Sequence, residues 1–296
     1  HQYKGRIHSE IHQMRSDDGG TVTGRFSYSN PNLQQIPSKN KEIKKMIRSL
    51  FIPEEGMQWG TFDYSQQEPR LVVHYAYSDN LDVIKIANGY HDGNADFHEM
   101  VADIAQIPRA QAKTINLGLF YGMGKGKLQA ELGIDKEEAE EIISIYQKKV
   151  PFVKNLTYNV MKKAESEARI KTLLGRVCRF PFFEPREFKQ KGFYKNEEEA
   201  KQAFKDGKGS YKRAGTYKAL NKLIQGSAAD QTKKAMVDLY EQDGIIPHIQ
   251  VHDELNISVE NKEQALNIKT KMENCVKLNV PSVVDYSLAN SWGEAK

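Results

Sequence analysis

Residues 59–70 contain a short apolar run, rich in aromatic side chains, that is followed directly by a helix-start pattern. The run ends at Asp63, and Ser65 with Glu68 three positions later forms the pattern of a capping box before the apolar Leu71. This stretch predicts a strand that ends near Asp63 and a helix that starts a few residues later. A carboxylate at such a junction exposes its oxygens while the backbone behind it is fixed, which suits Asp63 to hold a metal ion.

A second marked carboxylate lies far down the chain, in the alternating sequence of residues 249–259. The odd positions are apolar except for Asp253, and the even positions are polar. In a continuous strand, Asp253 would face the core and need a partner, because burying a bare charge costs several kcal/mol. In a hairpin, Asp253 would instead lie at the tip with His252 and Glu254. Both alternatives single out Asp253.

Two such aspartates on neighbouring strand ends form the hard-oxygen site that Mg²⁺ prefers, and two ions ~4 Å apart suit in-line displacement at phosphorus. Either Asp63 or Asp253 alone is more simply explained as a solvated turn acid or a helix cap, because turns commonly use aspartate. The sequence between them favours the metal interpretation.

Pro108 precedes a predicted helix in which Arg109, Lys113, Leu117 and Tyr121 recur at every fourth position. Two cations and two large apolar residues therefore share one face. Like charges one turn apart destabilise an isolated helix by ~0.2–0.5 kcal/mol, and an anionic partner would reverse that cost. A triphosphate along the two cations, with its sugar and base against the apolar pair, matches this face. The alternative is a solvated basic edge beside a core edge.

Composition leaves the partner open. The 296 residues allow one or two domains, and the net charge of +4 permits a polyanionic partner without requiring one. Cys178 and Cys275 are the only cysteines, which is too few for a disulfide framework and favours a reducing compartment. No apolar run is long enough for a transmembrane helix and the start has no signal-peptide layout, so we expect a cytoplasmic protein that does not bind a membrane.

Coarse patterning predicts further elements. We expect helices near residues 81–88, from residue 96, over 135–149, 153–168 and 219–242, a loop over 88–94, and a closing strand near 285–288. The charged, Gly/Lys-rich stretch 184–217 is expected to be a solvated excursion whose cations could contact the phosphates of a polyanionic partner.

Six sequence blocks span most of residues 21–292. Three of them are Asp63-Tyr64-Ser65-Gln66-x-Glu68-x-Arg70, Arg109-x-x-x-Lys113-Thr114-x-x-x-x-x-x-Tyr121-Gly122, and Gln250-Val251-His252-Asp253-Glu254-Leu255. The others are Thr23-Gly24-Arg25 with Asn32-Leu33-Gln34-x-Ile36-Pro37, Thr172-Leu173-x-Gly175-Arg176, and Gln225-Gly226-Ser227-Ala228-Ala229-Asp230. Together these blocks resemble those of family A DNA polymerases, and the first three resemble motifs A, B and C, in that order. The short run between His98 and Arg109 resembles the phage members of the family.

The resemblance implies an α+β right-hand polymerase fold with an antiparallel-sheet palm and a helical fingers domain. Residues 1–78 would form palm with the end of the thumb, residues 79–218 the fingers, and residues 219–296 the rest of the palm. It also implies a larger protein, so we expect a C-terminal portion that lacks most of a thumb and any exonuclease domain. The expected activity is template-directed DNA synthesis in the cytoplasm of a bacterium or a phage-infected cell.

The resemblance also assigns catalytic roles. Asp63 and Asp253 would hold two Mg²⁺ ions, for which Mn²⁺ can substitute, with the Tyr64 carbonyl as a further ligand. Lys113 would neutralise developing charge and protonate the leaving pyrophosphate, and Glu254 would support the metal site.

Binding roles follow from the same resemblance. The residues implied to bind the nucleotide are Arg109, Lys113, Leu117, Tyr121, His98, Glu68 and Gln66, and those implied to bind DNA are Arg25, Asn221, Gln225, Gln250, His252 and Arg70. Glu68 would exclude a 2′-hydroxyl. Leu117 stands where the family usually has Phe or Tyr, which implies discrimination against dideoxynucleotides. The expected partners are primer-template DNA, deoxynucleoside triphosphates and other replisome proteins.

Two alternatives stay open from the sequence. A single-subunit RNA polymerase shares much of motifs A and B, although Glu68 and the triplet at His252 argue against it. A DNA-binding or replisome-contact module without catalysis is the other, and it would show salt-dependent DNA binding with no extension.

Overall fold

The computed structural model describes residues 2–14, 19–37, 40–78, 80–93, 96–120, 125–187 and 192–295. The chain divides into two compact units. Unit 1 comprises residues 1–74 and 225–296, and unit 2 comprises residues 75–224. Both contain helices and antiparallel strand pairs, so the α+β prediction is confirmed.

The strands are short except for three in the main sheet. They are β1 (Gln2–Tyr3), β2 (Arg6–Ile7), β3 (Glu10–His12), β4 (Ser27–Ser29), β5 (Gln58–Tyr64), β6 (Arg169–Lys171), β7 (Val177–Arg179), β8 (Phe183–Pro185), β9 (Tyr211–Arg213), β10 (Ile249–Val251), β11 (Glu254–Val259) and β12 (Val284–Ala289). The helices are α1 (Lys41–Arg48), α2 (Gln67–Ala76), α3 (Leu81–His91), α4 (Phe97–Ala105), α5 (Arg109–Phe120), α6 (Lys125–Leu132), α7 (Lys136–Lys149), α8 (Pro151–Glu167), α9 (Glu197–Ala203), α10 (Ala219–Asp243) and α11 (Lys262–Asn274).

Unit 1 is built on a four-stranded antiparallel sheet with the strand order β10-β11-β5-β12. Alternation along the strands gives this sheet one apolar and one polar face. Phe62 on β5 lies opposite Leu255 on β11, and both are fully buried in a core that includes Leu239 of α10 and Ile268 of α11. Burying each such side chain contributes ~1.5–3 kcal/mol. The apolar face of the sheet therefore packs against α10 and α11, and the opposite face carries polar side chains.

Side-chain caps begin many of the helices, because an Asn or Asp oxygen accepts from backbone N–H groups that the helix itself cannot pair. The capping residues are Asn40, Asn80, Asp96, Asp135, Asn196 and Asn261. At the other end of α10, Gly244 adopts a φ of +68°, and the N–H of Ile245 donates to the Leu239 carbonyl at 3.1 Å. Gly244 therefore ends α10 as a left-handed C-cap, which is a common way for a helix to end.

Unit 2 is mainly helical. Helix α4 packs against α5 and α7, and α7 packs against α8, whose first residue is Pro151. The charged stretch that begins near residue 184 contains α9, and β8 pairs with β9 in antiparallel fashion across it. Within the described parts of the chain, no helix combines the length and apolar character needed to cross a bilayer.

Two local predictions are corrected. Helix α3 continues to His91, so the loop predicted from residue 88 is wrong; Tyr90 is 2% exposed, and its burial outweighs the ~1 kcal/mol cost of Gly89 inside a helix. Helix α2 begins at Gln67 rather than directly after Ser65, because Gln66 adopts a left-handed φ of +53°. The capping-box register of Ser65 and Glu68 is therefore wrong.

Candidate active site

The polar face of the main sheet carries a row of carboxylates across three strands. Asp63, near the end of β5, lies opposite Glu254 of β11 and opposite Asp285 of β12. Directly opposed residues of an antiparallel sheet point to the same face, so the three acids are neighbours. Sequence patterning did not single out Asp285, because pairing of β12 with β5 cannot be deduced from either strand alone.

Asp253 joins this row through a hairpin turn. The β10–β11 hairpin has His252 and Asp253 at its tip, so the hairpin alternative for residues 249–259 is correct. The Tyr64 N–H donates to the Asp253 carbonyl at 3.4 Å, and the negative charge of Asp253 lies close enough to Asp63 to raise the pKa of its carboxyl group. Two residues that are far apart in sequence thus form one acidic pair.

The turn is braced at a strained residue. His252 adopts a φ of +57°, which is uncommon for a residue other than glycine. The Gln250 side chain donates to the His252 carbonyl, and the Tyr28 hydroxyl accepts from the Gln250 N–H at 3.2 Å. Gln34 donates to the Gln250 side-chain oxygen at 3.3 Å. Gln250 is buried and braces the turn, and its contact with DNA stays a prediction.

The pKa values of both acids in this pair are raised. Burial of the carboxyl and the charges of Asp253, Glu254 and Asp285 raise the pKa of Asp63 to about 7. Asp63 also keeps a solvent-exposed surface, so the repulsion from the neighbouring carboxylates acts on it together with burial. Burial also raises the pKa of Asp253, with Glu68 adding to the effect and Arg25 opposing it.

The acidic pair suits a hard divalent cation. Two ionised carboxyl groups that lie this close repel one another, and a bound cation can offset that repulsion while keeping both groups ionised. Mg²⁺ commonly takes one or two carboxylates and fills its other positions with water and substrate phosphates. Among the described residues, no three His, Cys, Asp or Glu side chains are grouped to hold a metal ion.

Glu254 is held by two donors on the polar face. Its Oε1 accepts from the Asn256 side chain at 2.7 Å and from the Trp292 indole N–H at 3.2 Å. The Trp59 indole in turn donates to Asn256 at 2.9 Å and stacks on Trp292 with ring centroids 6.2 Å apart. The Arg48 guanidinium covers the Trp292 ring at 4.2 Å. These contacts orient Glu254, and no sequence motif indicated the roles of Asn256 and Trp292.

Glu68 and Arg25 form an ion pair of 2.5 Å whose side chains are 12% and 26% exposed. Arg25 therefore lies beside the acidic pair and neutralises Glu68. Arg70 is buried, and its guanidinium donates to the carbonyls of Ser65 at 2.8 Å and Pro281 at 2.6 Å. Its contact with DNA stays a prediction.

In unit 2, α5 places Arg109, Lys113 and Leu117 along one face. Arg109 pairs with Asp96 and lies 3.3 Å from Glu99. These two carboxylates offset part of the repulsion between Arg109 and Lys113. Lys113 is exposed and has no ion-pair partner among the described residues, and Leu117 is half-buried. Tyr121, the fourth member of the predicted row, lies outside the described residues.

His98 lies near these cations on the neighbouring helix α4. It is 7% exposed, and burial lowers its pKa, with Lys113 and Arg109 adding to the effect against Asp96. The side chain of Asn116 contacts His98 Nδ1 at 3.0 Å, and the Tyr146 hydroxyl donates to the Asn116 oxygen. The remaining predicted residues, Asn221 and Gln225, lie half-buried one turn apart on α10.

Unit 1 thus carries paired acids on its sheet, and unit 2 carries a basic row on helix α5. The model for DNA polymerase family A matches residues 1–294. The chain belongs to DNA polymerase family A, as its motifs indicated.

Particular relatives support this assignment. The chain is 36% identical to the DNA-directed DNA polymerase of Pseudomonas phage M6, with 100% of this chain and 48% of the relative covered. It is 33% identical to DNA polymerase I of Geobacillus stearothermophilus, with 100% of this chain and 32% of the relative covered. The solved polymerase domain of Pol1 from M. smegmatis, in complex with DNA primer-template and dNTP, has a TM-score of 0.77 at 30% identity and covers 98% of this chain and 49% of that one. The chain thus spans about half the length of the phage relative and of the solved chain, and about a third of the bacterial enzyme.

Proposed function

We propose that this chain carries the palm and fingers of a DNA polymerase that adds deoxynucleotides to a primer 3′ end and releases pyrophosphate. The observation that carries the proposal is the acidic pair of Asp63 and Asp253, which the pairing of β5 with β11 and the braced hairpin bring together. Unit 1 would be the palm and unit 2 the fingers. The solved relative binds primer-template DNA and a deoxynucleoside triphosphate, so we assign the same two substrates to this chain.

Asp63 and Asp253, with the Tyr64 carbonyl, would hold divalent cations, for which Mg²⁺ is the natural choice and Mn²⁺ a substitute. When bound there, such ions would lower the pKa of the attacking 3′-hydroxyl and offset the charge of the triphosphate. Glu254 stays oriented by Asn256 and Trp292 and keeps a second acid beside Asp63.

Residues of unit 2 would bind the triphosphate. Lys113, whose ammonium is exposed, would neutralise charge on the phosphates and donate a proton to the leaving pyrophosphate. Arg109 would exchange its contact with Asp96 for the β- and γ-phosphates. Leu117 and Tyr121 would contact the sugar and base.

Residues of unit 1 and of helix α10 would set the choice of sugar and contact the DNA. Glu68, held by Arg25 and preceded by Gln66, would exclude a 2′-hydroxyl. Arg25 and His252 would contact the primer end, and Asn221 and Gln225 of α10 would contact bases.

Primer extension with Asp63→Asn and Asp253→Asn tests the proposal, since each change removes one charge and keeps the side-chain shape. We expect each variant to lose synthesis while salt-dependent DNA binding is retained. The matched control is Asp243→Asn, because Asp243 pairs with Lys271 at 2.7 Å away from the acidic pair. Extension by both active-site variants at the wild-type rate would refute the metal assignment.

The same assay separates the alternatives. Faster extension with ribonucleotides than with deoxynucleotides would identify an RNA polymerase. DNA binding without extension, with either Mg²⁺ or Mn²⁺, would identify a binding module instead.

A further inference from the structure

A buried chain of hydrogen bonds in unit 2 leads from Tyr146 on α7 through Asn116 on α5 to His98 on α4. Tyr146 is 1% exposed, Asn116 is 0% exposed and His98 is 7% exposed. Polar groups buried this deeply need partners, because an unpaired one costs ~1–3 kcal/mol. The direction of each bond can therefore be worked out from the donors and acceptors available.

The Tyr146 hydroxyl fixes the first direction. Burial raises the pKa of Tyr146, so the hydroxyl keeps its proton and must donate it. Its acceptor is the Asn116 side-chain oxygen, and the described residues offer it no other. The Asn116 amide group must then face His98 as a donor. The flipped amide would leave the tyrosine proton without an acceptor.

The direction of the second hydrogen bond, between Asn116 and His98, follows from the first. A nitrogen that accepts from Asn116 carries no proton, so Nδ1 of His98 is the acceptor and the neutral ring keeps its proton on Nε2. Among the described residues, Nε2 has no hydrogen-bond partner. Burial together with the nearby cations Lys113 and Arg109 keeps the ring neutral. A single N–H donor therefore remains for a ligand.

We infer that Tyr146 and Asn116 are positioning residues that keep the His98 proton on Nε2. In this state His98 donates to a phosphate oxygen of a nucleoside triphosphate bound beside Lys113. The ligand part rests on the proposed function, whereas the position of the proton does not. With the opposite tautomer, a lone pair on Nε2 would face the phosphate and repel it.

Nitrogen-15 NMR of labelled histidine tests the proton position directly in the full chain. His98→Gln identifies the His98 signals among those of the eight histidines. We expect the wild-type ring to be protonated at Nε2 and unprotonated at Nδ1.

Two variants should change this state. Tyr146→Phe frees the Asn116 amide and gives a mixture of the two tautomers. Asn116→Asp, whose ionised carboxylate can only accept, moves the proton onto Nδ1. Tyr158→Phe removes an exposed hydroxyl from α8 and is the control. A wild-type ring protonated at Nδ1, or variants that match the wild type, would overturn the inference.

Titration with dATP and Mg²⁺ tests the ligand part by following the same His98 signals. We expect them to shift as dATP binds, with affinity about fivefold weaker in Tyr146→Phe and at least tenfold weaker in Asn116→Asp. Equal dATP affinity in the wild type and both variants, despite an altered tautomer, would refute the positioning role.

The failures of the two proposals can be told apart. A protein whose His98 binds dATP through Nε2 but which extends no primer would refute the polymerase activity alone. A protein that extends primers with the same KM for dATP in the wild type and Tyr146→Phe would refute this inference alone.

Discussion

Replacing Asp63 by Asn should stabilise unit 1 of the metal-free protein. In the folded state, Asp63 lies beside Asp253, Glu254 and Asp285, and its pKa is raised from 3.8 to about 7. A carboxyl with a raised pKa binds its proton more tightly in the folded state than in the unfolded state. The contribution of Asp63 to the free energy of unfolding is therefore fully present below its unfolded pKa of 3.8. It is lost as the pH rises through the folded pKa of about 7.

The magnitude follows from the same values. The difference between 3.8 and about 7 sets an upper bound of ~4 kcal/mol, at about 1.36 kcal/mol per pH unit. Because Asp63 is exposed to solvent, screening reduces this bound, and we expect ~1–2 kcal/mol at pH 8. Asn is neutral at every pH, so Asp63→Asn should gain this stability at pH 8 and almost none at pH 4.

Urea unfolding followed by tryptophan fluorescence measures this effect in the right part of the molecule. The chain has two tryptophans, Trp59 and Trp292, and both lie in unit 1. Wild type and Asp63→Asn are compared at pH 4 and pH 8 in EDTA, with Asp243→Asn as a control that should show no gain. Added Mg²⁺ should stabilise the wild type at pH 8 more than Asp63→Asn, because the cation offsets the same repulsion.

Two results would refute this reasoning. An equal gain for Asp63→Asn at pH 4 and pH 8 would show that the effect is not electrostatic. No gain at pH 8 in EDTA would show that the carboxylates do not repel one another in the folded state.

Three further predictions concern the proposed activity. Glu68→Ala should raise ribonucleotide incorporation relative to deoxynucleotide incorporation in primer extension, and an unchanged ratio would limit Glu68 to its ion pair with Arg25. Leu117→Tyr should relax discrimination against dideoxynucleotides, because a tyrosine hydroxyl can replace the missing 3′-hydroxyl; the ratio of termination to extension on one template measures it, and no change would show that Leu117 does not face the sugar. Trp292→Phe keeps an aromatic ring beside Trp59 but removes the donor to Glu254, and it should slow extension about fivefold at saturating nucleotide with little change in KM. A wild-type rate would show that the indole donor does not position Glu254.

Much of this protein follows from its sequence because the relevant signals are local. The apolar run before Asp63 forms β5, the alternation of residues 249–259 forms a hairpin, and Asp96 caps α4, as predicted. These features depend on side-chain period and on capping chemistry within a few residues. The motifs that carry the family resemblance are local for the same reason.

What only the tertiary structure decided is which distant residues share a site. The pairing of β5 with β11 and β12 places Glu254 and Asp285 on either side of Asp63, and no local pattern encodes that register. Arg70 donates to the Pro281 carbonyl, and Gln250 accepts from Gln34, although these partners are far apart in the sequence. Such contacts depend on long-range packing, because only the fold brings these donors and acceptors together.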